Sequence, residues 1–187
     1  MITSRIDLDS VSRELVAGLP HELSNPKASR TDWTRAVVGG LGNIGKARKL
    51  WVCCRKYKDY FQDQGEWLLD LVWMNQSENS IVLAAESEWG GISQFDEDFA
   101  KLLSLKAWAK IFLFDSREHR GSERMVAKIE GYMGVFPYHL SGEDYLLIEA
   151  TKQGAFRYHF QVLDNGSLSS VKFIPWETLP WPWTRVV

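Results

Sequence analysis

Between Lys110 and Asp115 the chain runs Ile111-Phe112-Leu113-Phe114, four large apolar side chains in succession. Successive residues of a strand point to opposite faces, so this run needs apolar cover on both sides, as in the central strand of a helix-flanked sheet. The residues before it predict such a helix. Ser93 with Asp96 resembles a helix-starting box, and Asp96, Glu97 and Asp98 suit the positive end of a helix dipole. Phe99, Leu102, Leu103 and Lys106 then lie along one side, with the helix ending near Ala109. A helix joining two buried strands implies a right-handed crossover within one sheet, which makes the fold class α/β.

The strand upstream of that helix has a partner. In Trp67 to Trp73, residues Trp67, Leu69, Leu71 and Trp73 alternate with Leu68, Asp70 and Val72; a polar stretch, Asn75 to Ser80, leads into Ile81 to Trp89. The alternation and the turn predict an antiparallel hairpin, with Asp70 in the middle of its first strand. Leu50 to Cys54 reads as a short strand before it. Trp33, Val37, Leu41 and Ile44 step by three and four from Thr31, predicting a helix that loosens across Gly39, Gly40, Gly42 and Gly45. Ile6 to Leu19 carries helical spacing that stops near Pro20. Beyond the central strand, Glu118 to Met133 reads as helix, and Tyr145 to Ala150 and Phe156 to Val162 as strands. The tail, with Trp176, Pro180, Trp181, Pro182 and Trp183, reads as an extended aromatic segment, a packing strap more than a base-stacking platform.

A chain of 187 residues, 45% hydrophobic, is long enough for one substantial core, so a single domain is expected. Its core would span about residues 31–115, with a C-terminal helix and strands in 116–187. With 22 basic against 24 acidic residues, the whole molecule has no electrostatic affinity for nucleic acid or anionic lipid; such binding would need a local patch. Lys46, Arg48, Lys49, Arg55, Lys56 and Lys58, interleaved with Trp51 and Tyr57, form the one basic concentration, either a solvated face or a phosphate contact. No secretory leader or apolar run of membrane-spanning length is read, so the expectation is a cytoplasmic protein with no membrane partner. Nothing in the sequence indicates an oligomeric state.

The acids of the hairpin carry the chemistry. Glu86 and Glu88, two residues apart on a strand, share a face and stand about 6 to 7 Å apart. Sixteen residues separate Asp70 from Glu86, enough to pass around the turn and bring all three carboxylates together. Carboxylates at about 6 Å repel by roughly 3 kcal/mol at an effective dielectric near 20, so such a cluster is solvated, partly protonated or neutralised by a cation. Oxygen ligands of this kind suit Mg²⁺ or Mn²⁺. The alternative is a solvated strand end with no ligand.

Asp70 in WLLDLVW and Glu86-Ser87-Glu88 in VLAAESEW, followed by DFAKLLSLKAWAKIFLF, resemble the PD-(D/E)XK nuclease-like superfamily. The resemblance implies a restriction-endonuclease-like core: a mixed sheet with an antiparallel hairpin, flanked by helices. It implies Asp70 and Glu86 as metal ligands, nucleic acid as partner and phosphodiester hydrolysis as reaction. Position 88 departs from the pattern, with glutamate where the superfamily usually has lysine, as in its Glu-x-Glu variants. Glu88 would then add a ligand or accept a proton from water, and Lys101 on the next helix would supply the missing positive charge. A catalytically inactive scaffold used for binding or regulation is the competing expectation.

Other motifs are weaker. Gly40-Leu41-Gly42-Asn43-Ile44-Gly45 spells GxGxxG, but the residues before it read as a helix start rather than the strand a dinucleotide site needs. His21, His119, His139 and His159 are scattered without metal-site spacing, and adjacent Cys53 and Cys54 read as strand residues.

Overall fold

The computed structural model describes residues 6–19, 29–54, 68–90, 92–116, 122–151, 154–169 and 172–175. These form four helices and one seven-stranded sheet in which spatial order follows chain order. The helices are α1 (Leu8–Ala17), α2 (Arg30–Ala47), α3 (Ile92–Ser104) and α4 (Ser122–Val135). The strands are β1 (Trp51–Cys53), β2 (Leu71–Asn75), β3 (Ser80–Glu88), β4 (Ala109–Asp115), β5 (Asp144–Thr151), β6 (Gly154–Gln161) and β7 (Lys172–Pro175). Antiparallel β1–β2–β3 and β5–β6–β7 flank a parallel centre, β3–β4–β5, whose crossovers contain α3 and α4.

The apolar run sits where its composition requires: all seven positions of β4 are buried. Ile111 and Leu113 face a core made with α1 and α2, which includes Val11, Leu15, Trp33, Leu41 and Trp73. Phe112 and Phe114 face a second core beneath α3 and α4. There Phe95 meets Phe112 and Phe114 edge-on, with ring centroids 5.2 and 5.4 Å apart, an arrangement favoured by the ring quadrupoles. This packing fixes α3 against β3 and β4, and so fixes what α3 presents to the end of β3.

Three local expectations are corrected. Helix α2 runs unbroken through Gly39, Gly40, Gly42 and Gly45. Its start is fixed by a reciprocal capping box, Ser29 with Asp32, and its apolar face is buried along its length. Burial outweighs the glycine penalty, and Gly45 gives the room it needs, because a Cβ there would lie 2.5 Å from Trp73 Nε1. Helix α3 begins at Ile92, so Ser93 lies inside the first turn rather than at its cap, and the helix ends at Ser104, short of Ala109. Strand β2 begins at Leu71, after a bent stretch from Leu68 to Asp70, so Asp70 lies at the strand entrance and not in its middle. Trp67 and the tryptophan-rich tail lie outside the described residues. Among those described, no helix is long and apolar enough to cross a membrane.

Candidate functional site

Pairing of Leu71 with Ala85 places Asp70, one residue before β2, beside Glu86 and Ser87 on β3. Asp70 is buried, and its Oδ2 accepts two hydrogen bonds from Ser87, from the backbone N–H at 3.1 Å and the hydroxyl at 2.8 Å. The residue between the two glutamates of the motif therefore holds the aspartate in place.

Glu86 and Glu88 pair across the sheet with Phe112 and Phe114, which put their rings under α3. Partners in register point to the same face, so both glutamates belong to the α3 side. Glu86 is buried and Glu88 half-buried. Burial is the first cause pushing the Glu88 carboxyl up, to about 7, followed by its hydrogen bond with Asp98 on α3; the N–H of Gly90 donates back to Glu88 and opposes the rise. A hydrogen bond between two carboxyls needs a proton on one of them, and the raised Glu88 carboxyl is suited to hold it. The negative charge of Asp70 adds a smaller upward push.

Lys101 reaches this group through Asp98. Its Nζ lies 2.9 Å from Asp98 Oδ1 and 2.8 Å from Glu97 Oε1, and those two carboxylates hold the ammonium's pKa up. Lys101 also borders an open groove of about 670 Å³ between Leu68–Leu69 and the outer side of α3, with Ala100 and Leu105 on its wall.

Asp70, Glu86 and Glu88 thus gather at one end of the parallel strands, with Lys101 joined on through Asp98. The donors suit a hard divalent cation, carboxylate oxygens being its usual ligands. Their disposition does not form a ready cage: among the described residues no three His, Cys, Asp or Glu side chains are arranged to hold a metal ion. Asp70 Oδ2 is occupied by Ser87, and Glu88 by Asp98 and Gly90.

Two site residues escaped the sequence reading. Ser87 was the neutral spacer of a motif, and Asp98 was one of three helix-start acids; only the packing of α3 on β3 singles it out. The GxGxxG stretch is helix interior, so its glycines serve packing rather than a phosphate loop. Of the basic concentration, Arg48 is paired with Glu14 at 2.6 Å, and Arg55, Lys56, Tyr57 and Lys58 lie outside the described residues. His159 lies 3.3 Å from Asp144, His139 joins a buried network, and His21 and His119 are outside the described residues. Cys53 and Cys54 are both buried and are not joined in a disulfide.

No family model, no curated protein and no solved structure matches the chain.

Proposed function

We propose that the chain is a divalent-metal-dependent nuclease or nuclease-like phosphodiesterase built on a restriction-endonuclease-like core. The reading rests on one observation: Asp70 at the entrance to β2 stands beside Glu86 on β3, with Glu88, Asp98 and Lys101 next to them at the same strand end. The order helix, three antiparallel strands, helix, parallel strand supports it, being the order the resemblance implies. Asp70 and Glu86 would hold Mg²⁺ or Mn²⁺, and a bound ion would supply an acidified water and charge stabilisation on a phosphodiester. Glu88 would add an oxygen or take a proton, and Lys101 would stand in for the lysine missing from position 88.

A second reading, a non-catalytic scaffold serving in binding or regulation, is favoured by the engagement of Asp70 with Ser87 and of Glu88 with Asp98, which meets their needs without a metal. Metal binding separates the two without knowledge of the substrate. Calorimetric titration of Mn²⁺ is expected to give saturable binding to the wild type and none to folded Asp70→Asn and Glu86→Gln variants. Unchanged affinity in Asp70→Asn would remove Asp70 from the site, and no binding by the wild type would favour the scaffold.

A further inference from the structure

We draw no further inference here: the strongest candidate, the open apolar groove between Leu68–Leu69 and the outer side of α3, carries nothing because nothing in the structure shows what covers it.

Discussion

Gly39 and Gly45 occupy the same helix, and replacing each by alanine should have opposite effects. Removing a helical glycine gains about 1 kcal/mol in either case, because alanine loses less backbone freedom on folding. At Gly39 nothing lies within 4 Å of the added methyl, so that gain should appear nearly whole. At Gly45 the methyl would meet three indole atoms of Trp73, at 2.5, 2.8 and 2.8 Å. Trp73 is fully buried on β2, three residues after Asp70, and cannot swing into solvent. Overpacking of this kind costs typically 1–3 kcal/mol, so Gly45→Ala should range from neutral to about 2 kcal/mol destabilised.

The propensity gain cancels between the two variants, leaving the packing cost as the measured difference. For a chain of this size it corresponds to roughly 2–12 °C in Tm, with Gly39→Ala the higher. Urea unfolding followed by far-ultraviolet circular dichroism reads it, with unchanged m-values as the check on two-state behaviour. If Gly45→Ala proved as stable as Gly39→Ala, α2 would not be seated on Trp73, and the close approach of helix and hairpin that orders β2 beside the acids would be wrong.

Arg157, buried on β6, reaches Asp9 at 2.7 Å and Ser12 at 2.8 Å and so fastens α1 to the sheet. Its replacement by methionine should cost about 1.5–3 kcal/mol, the range for hydrogen bonds to a charged group, and a loss below 0.5 kcal/mol by urea titration would mean that apolar packing alone seats α1. Glu149 is fully buried, and burial raises its carboxyl above the usual range although Ser116 and Tyr158 oppose the rise. Its stabilising contribution is therefore complete below the ordinary carboxyl range and is lost as pH climbs toward the raised value. Glu149→Gln should flatten that decline, and an unchanged slope of stability between about pH 5 and pH 8 would show the acid to be ionised inside the fold. For Glu88, ¹³C carboxyl shifts should titrate near pH 7 and move toward the ordinary range in Asp98→Asn; a midpoint unmoved by that change would mean that Asp98 is not its partner.

The layers of the fold were legible because they depend on patterns that survive in one dimension. Four apolar residues in a row demanded a strand covered on both faces, and β4 is such a strand, with Ile111 and Leu113 toward one core and Phe112 and Phe114 toward the other. The hairpin was legible for the same reason, since period-two alternation and a polar turn leave few other arrangements. Helix α2 was misread because propensity counts each glycine as a cost and cannot see Trp73, against which the absence of a side chain at Gly45 becomes an advantage. The site divides along the same line. Asp70, Glu86 and Glu88 could be found because strand spacing fixes which residues share a face. Asp98 and Ser87 could not, because their roles come from a helix laid across a strand end and from a backbone bend before β2, neither of which has a period. The buried Lys110–Glu143 pair joins residues thirty-three positions apart, and its need becomes visible only once the last turns of α3 and α4 both end over the same point of the sheet with carbonyls to satisfy. Sequence therefore exposes the groups that a repeating geometry brings together, and it conceals those that meet only where the ends of different elements are packed together, as Asp98 of α3 meets Glu88 at the end of β3.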